Sequence, residues 1–204
     1  MKKFLLPLLC IAIFTQCKKS SDGTTAAGDY LPLGVGTNWT YISNGVTSKL
    51  TVTSKDSVAL GRTYKVVSNN NGPNQYHGKS GNDYYRFATF QGFLPNGVEE
   101  LYLKADQNVN GNWQFVVNVM FGTIPVPVTA KYTITEKGIA KTVQTKNYTD
   151  VVHVTLALTS AFGNMGGGDF YYAKGIGMIS SSLNISIPGS STSNVTELVS
   201  YEIK

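Results

Sequence analysis

Residues 47–57 read TSKLTVTSKDS. In an extended chain Leu50 and Val52 fall on one side and Lys49, Thr51 and Thr53 on the other. A period of two marks a strand with one buried face. The pattern recurs at 98–103, where Leu101 and Leu103 alternate with Glu100 and Tyr102. Working outward, strands are predicted over 62–68, 83–90, 113–121, 130–137, 148–159, 170–174, 177–184 and 195–203. Between them stand turn residues at Asn44-Gly45, Leu60-Gly61, Asn70-Asn71-Gly72-Pro73, Asn96-Gly97, Asn110-Gly111 and Lys137-Gly138. Short strands with regular turns predict one all-β domain, either an antiparallel sandwich or a partly open, curved, barrel-like sheet. No window carries a capped apolar period of 3.6, so little helix is expected.

Two stretches resist the pattern. Pro125 and Pro127 lie two residues apart in 124–128, and each removes a ladder donor, which predicts an edge or a crossover there. Residues 163–168 (GNMGGG) are expected to be the most mobile part of the domain, on glycine content alone.

Composition agrees with a folded chain. Of 204 residues 42% are hydrophobic and 14% charged, which excludes a charge-dominated disordered protein. Lys2 and Lys3 precede an apolar run from Phe4 to Phe14. That run is short of the roughly 20 residues a bilayer-spanning helix needs, and it has the form of a secretory signal. Phe14-Thr15-Gln16-Cys17 then leads into the polar Lys18-Lys19-Ser20-Ser21-Asp22-Gly23. This resembles a bacterial lipoprotein signal, with Phe14 and Gln16 where that family usually has Leu and a small residue. The resemblance implies a signal peptide over 1–16, cleavage before Cys17, and acylation of Cys17 with fatty acids such as palmitate. An ordinary cleaved signal, with Cys17 incidental, is the other reading. In lipoproteins of this kind Asp after the cysteine signals inner-membrane retention; Lys18 stands there, which implies the outer membrane of a Gram-negative bacterium. Residues 17–28 would be the acylated cysteine and a flexible tether, and 29–204 the single β domain. Cys10 would leave with the signal, so no disulfide is expected in the exported domain.

The net charge of +5 falls to +3 when Lys2 and Lys3 are removed. The remaining basic residues are scattered apart from Lys18-Lys19, whereas nucleic-acid binders gather them on one face, so no nucleic-acid partner is expected.

Three segments resemble a group of bacterial envelope lipoproteins of unknown function. Tyr30-Leu31-Pro32-Leu33-Gly34-Val35-Gly36-Thr37-Asn38-Trp39-Thr40-Tyr41 is similar to their opening Y-x-P-L-x-x-G-x-x-W-x-Y. Residues 58–67, with Gly61 and Tyr64, look like their second hairpin. Phe170-Tyr171-Tyr172-Ala173-Lys174-Gly175-Ile176-Gly177-Met178-Ile179 is similar to their closing Y-x-A-K-G-x-G hairpin. The resemblance implies a lipid-anchored β domain in the cell envelope and carries no activity with it.

Candidate chemistry is sparse. Residues 72–80 (GPNQYHGKS) fail as a phosphate loop, having five residues between the glycines instead of four and no helix to follow. His77 and His153 stand apart from other ligand residues, so no metal or cofactor is expected; His77 is placed in an exposed turn and His153 on a strand face. Ser80, His77 and Asp83 are too close along the chain to suggest a triad. Asp83, Glu99, Glu100 and Glu136 are the carboxylates a glycan-active hydrolase would draw on, with a solvated strand face as the simpler account. The aromatics Tyr84, Tyr85, Phe87 and Phe90, with Phe93 nearby, are the candidate ligand-binding residues. The sequence therefore favours a non-catalytic, membrane-anchored protein that binds a glycan, lipid or protein, or serves envelope architecture. The alternatives are the hydrolase and a lipid or lipoprotein carrier with an open-barrel pocket.

Overall fold

The computed structural model describes residues 28–90, 94–187 and 190–204. Twelve strands account for nearly all of them. These are β1 (Asn38–Ser43), β2 (Val46–Ala59), β3 (Arg62–Asn69), β4 (Gln75–Ser80), β5 (Asp83–Phe90) and β6 (Leu94–Lys104), then β7 (Asn112–Phe121), β8 (Ile124–Val143), β9 (Lys146–Ser160), β10 (Gly163–Ala173), β11 (Gly177–Ile187) and β12 (Ser190–Glu202). Every pairing is antiparallel, and the spatial order is β6-β5-β4-β3-β2-β1-β12-β11-β10-β9-β8-β7. The fold is thus all-β, a single curved, barrel-like sheet that stops short of closure. The first and last strands meet in its middle, with Asn38 opposite Glu202 and Ser43 opposite Thr196. The open seam falls between two consecutive strands, β6 and β7.

Leu50, Val52, Val67, Tyr84, Leu103, Ile134, Val152, Val154, Ile179 and Leu198 are buried in the interior. Each such aliphatic side chain contributes about 1.5–3 kcal/mol on full burial. The segment from Asp29 to Leu33 packs across one end of the barrel. There the Tyr30 amide donates to Tyr84 Oη at 3.1 Å, and Lys79 pairs with Asp29 at 2.9 Å. Trp39 Nε1 donates to the Ile176 carbonyl at 2.6 Å and Tyr41 Oη to that of Met178 at 2.8 Å. The opening and closing motifs of the sequence are therefore two halves of one packed end. Residues 58–67 form the expected hairpin, with Leu60 (φ 51°) and Gly61 (φ 79°) in its turn.

Four expectations are corrected. His77 is expected in a turn, yet it lies within β4, which is paired with β3 and β5. Residues 163–168 are expected to be mobile, yet they begin β10, and 166–168 are paired on both sides. Their glycines serve close approach: a Cβ on Gly166, Gly167 or Gly168 would run into the carbonyl oxygen of Asn184, Leu156 or Ser182. Asn96-Gly97 does not turn the chain. Together with Pro95 it stands opposite the single Thr89 in a bulge between β5 and β6, Gly97 having φ 71°. Lys137-Gly138 is likewise a bulge inside β8, facing Val152 alone, with Gly138 at φ 68°. Bulges kink and twist a strand while leaving it in the sheet, which lets the 20-residue β8 curve with the wall. The proline expectation is met locally: 124–127 pair with β7 only, since β9 pairing begins at Val128.

Replacing Gly167 with valine should lower stability by about 2–4 kcal/mol, because neither the Leu156 carbonyl nor the strand spacing can give way. The urea midpoint reads this; a loss below about 0.5 kcal/mol would show that the strands can part.

Candidate functional site

Among the described residues the places with room for a ligand include the hollow interior, the open seam, and a pocket of about 350 Å³ beside Asp29, Leu33, Lys65 and Lys79 at the end covered by the 29–33 segment. The interior hollow measures about 100 Å³, and its walls include Trp39, Tyr41, Gln75, His77, Arg86 and Tyr172. Strand alternation brings His77 of β4 opposite Arg86 of β5 on the inward face. Arg86 Nε donates to Glu100 Oε2 at 2.9 Å and a second guanidinium nitrogen binds the same oxygen, while Tyr132 Oη donates to Glu100 Oε1. Arg86 lines the hollow, and 39% of its side chain is accessible. Glu100 raises the Arg86 pKa above its ordinary value against the opposing effect of burial. Burial likewise raises the hydroxyl pKa values of Tyr102 and Tyr172, whose rings stack at 5.6 Å.

His77 was expected in an exposed turn and is instead an interior side chain. Its Nε2 lies 3.0 Å from Gln75 Oε1, and its Nδ1 is buried without a partner among the described residues. The alternation of a six-residue strand is short enough to be hidden by its Asn and Gly neighbours. Burial, and secondarily Arg86, push the His77 imidazole down to about 3.

The predicted aromatic group is divided by the pleat. Tyr84 points inward and is 1% exposed. Tyr85 and Phe87 lie on the outer face, where the Arg62 guanidinium sits 3.5 Å from the Tyr85 ring centroid and Phe87 packs between Tyr64 (5.9 Å) and Tyr76 (6.3 Å). There Tyr64 covers Gly78 of the neighbouring strand. The side chain of Phe90, all of Phe93, and Cys17 with the whole of 1–27 lie outside the described residues.

Each candidate carboxylate has a partner. Asp83 accepts from Lys104 at 2.9 and 3.1 Å, and Glu99 from Arg62 at 2.7 Å and from Tyr64. Burial would raise the Glu99 pKa, but the Arg62 and Tyr64 hydrogen bonds outweigh it and hold it below the usual range. Glu136 and Asp169 flank His153, 2.9 Å from Nδ1 and 2.8 Å from Nε2, and the imidazole stacks on Tyr171 at 4.2 Å. Among the described residues no group of three or more His, Cys, Asp and Glu is arranged to hold a metal ion. Among the described residues no helix is long and apolar enough to cross a membrane.

The seam is held at one end by side chains. Trp113 of β7 reaches across to β6, where Nε1 donates to the Leu101 carbonyl at 2.7 Å, and its ring stacks on Tyr132 at 5.6 Å and 8°. Lys137 Nζ donates to the carbonyls of Ala105 and Gln107 at 3.0 and 2.8 Å. Towards the other end the strands part around a groove of about 570 Å³, lined by Leu94, Val98, Phe115, Val117, Met120 and Pro125 among others. Ligand sites usually measure about 300–1,000 Å³, a range the groove meets, the pocket beside Asp29 and Lys79 meets near its lower bound, and the interior hollow does not. Sequence reasoning missed the groove, because which strands form the edges depends on the long-range pairing of β1 with β12.

No protein-family model and no curated protein matches the chain. Two solved structures are similar to it. One is a candidate lipoprotein of Parabacteroides distasonis, 12% identical, with a TM-score of 0.49 over 86% of this chain and 99% of that one. The other is a candidate exported protein with a YmcC-like fold from Bacteroides fragilis, 10% identical, with a TM-score of 0.49 over 86% of this chain and all of that one.

An imidazole ordinarily titrates at 6.5, and burial brings that of His77 down to about 3 in the fold, so between those pH values the unfolded chain holds more protons. Stability must therefore fall as pH drops through that window. His77→Gln should remove up to about one proton from the slope of unfolding free energy against pH between 6 and 4. Equal slopes in the two proteins would show that the imidazole charges inside the barrel.

Proposed function

We propose that this chain is a lipid-anchored envelope protein, held by acyl chains on Cys17 at the outer membrane of a Gram-negative bacterium, whose barrel is a non-catalytic binding module. The groove along the seam is its binding site. The observation that carries this reading is the parting of β6 and β7 around a ligand-sized apolar groove in a sheet whose other neighbouring strands are all joined by backbone pairing. The partners already held by Asp83, Glu99, Glu100 and Glu136 support a structural use of these carboxylates over a hydrolytic one. The small interior hollow supports a binder at the wall over a carrier that encloses an acyl chain.

Attachment and binding are tested separately. Cys17→Ser should release the protein from the envelope fraction and abolish palmitate labelling; a serine form that still pellets and labels would overturn the anchor. A photo-cross-linking residue at Val116, on β7, should capture a discrete envelope component in intact cells. The same residue at Val195, also exposed but on β12, should not. Equal capture at both positions would overturn the seam as the site.

A further inference from the structure

The groove's walls specify what it accepts, an inference that rests on the seam being the binding site. Strand β7 pairs with β8 on one side alone. Asn118 stands opposite Pro127 and Met120 opposite Pro125. A proline has no N–H to give, so neither can be a pair that exchanges two hydrogen bonds. Alternation then turns the backbone N–H and C=O groups of Gln114, Val116, Asn118 and Met120 away from β8, towards the seam.

The two edges differ in how they are protected. Natural edges are blunted by prolines, bulges and charges. On β6 all three occur: Pro95, the bulge at Gly97, and Glu99 with Glu100. Strand β7 (NWQFVVNVMF) has no charge, proline or glycine in ten residues, and Val116 is 61% exposed. An edge of this kind is a template for another strand. Among the described residues that line the groove Glu99 alone is charged, and Arg62 already neutralises it. A charged segment laid there would bury an unpaired charge.

We propose that the open stretch of the seam takes up an extended, uncharged, aliphatic-rich polypeptide segment of a partner protein, added as a strand to β7. A lipid could fill the apolar groove but would leave the seam-facing amides unpaired, and each unpaired buried group costs about 1–3 kcal/mol. A second copy would have to bring the strand joined to β7, for Ile124 of β8 follows Phe121 after two residues. A single strand added to β7 extends the sheet by one spacing of ~4.8 Å, whereas the paired strands of a second copy extend it by two.

The test uses the full mature protein in nanodiscs and a blocked, labelled peptide of alternating threonine and valine. The comparison peptide is N-methylated at every second residue, which removes the donors of one edge and keeps the side chains. The parent peptide should bind saturably and slow hydrogen exchange at Gln114, Val116, Asn118 and Met120. The methylated peptide should bind about tenfold more weakly, or worse. Val116→Lys places a charge on the edge, and Val116→Pro removes one seam-facing donor without touching the β8 ladder; each should weaken binding about tenfold at an unchanged melting temperature. If one variant fails to fold, the other still reads the effect. Equal binding of the methylated peptide would overturn strand addition while leaving the seam as a side-chain site. Binding of neither peptide would also overturn it, and the cross-linking at Val116 would then judge the seam itself. Slow exchange at the four amides without peptide, together with a dimeric mass, would overturn the choice of partner in favour of a second copy.

Discussion

The ladder between β1 and β12 is the pairing on which the rest of the barrel depends. It joins residues about 160 positions apart, from Asn38 with Glu202 to Ser43 with Thr196. Without it the strands would form two six-stranded meanders with four open edges. With it there are two edges, and they belong to strands adjacent in sequence. Closing so long a loop is entropically costly, and the packed end of the barrel offsets that cost. Trp39 and Tyr41, both on β1, reach across to the carbonyls of Ile176 and Met178. The Lys204 amide donates to Thr37 Oγ1 at 3.0 Å, and Gly34 lies so close to the Lys204 carbonyl that any Cβ would collide. Aromatic residues of this size bury about 150–250 Å² each, enough for a few side chains to secure a ladder that has no disulfide to help it among the described residues.

The local part of this fold was legible and the non-local part was not. The 47–57 alternation is a property of neighbouring residues, and Leu50 and Val52 are buried as it predicts. Glycine was the main source of error, because its freedom serves two opposite ends. At Gly61 it turns the chain, and at Gly97 and Gly138 the same positive φ bulges a strand that continues. At 166–168 glycine is present for what it lacks, a Cβ that would strike the carbonyls of adjacent strands. Nothing within a few residues distinguishes these uses, since the difference lies in what a distant strand brings opposite.

The candidate site divides along the same line. The aromatics around Tyr84 were read as one group, but a strand sends neighbours to opposite faces, so Tyr84 joins the core and Tyr85 and Phe87 the outer wall. The proline pair was the legible sign of an edge: it marked where β8 lacks a second neighbour, and it also fixes which groups of β7 face outward. The uncharged run of β7 was visible too. Its meaning depended on knowing that this strand, among twelve, stands at the seam.

The half-buried charged pair next to the seam fits this division of labour. Arg86 of β5, Glu100 of β6 and Tyr132 of β8 form one hydrogen-bonded set that spans the gap without a backbone ladder. A buried ion pair adds little net stability, because desolvation cancels most of its attraction, but breaking one member is strongly destabilising. Such a set acts as a spacer: it fixes how far apart β6 and β8 stand while leaving the β6 and β7 backbones unpaired. Trp113, stacked on Tyr132 and bonded to the Leu101 carbonyl, extends the tie to β7. A backbone ladder at that point would tend to propagate along both strands, because each added pair lies in register with the last. Side-chain ties do not propagate. A barrel closed by them at one end can remain parted at the other, and that is the condition under which an edge stays available to a strand from outside.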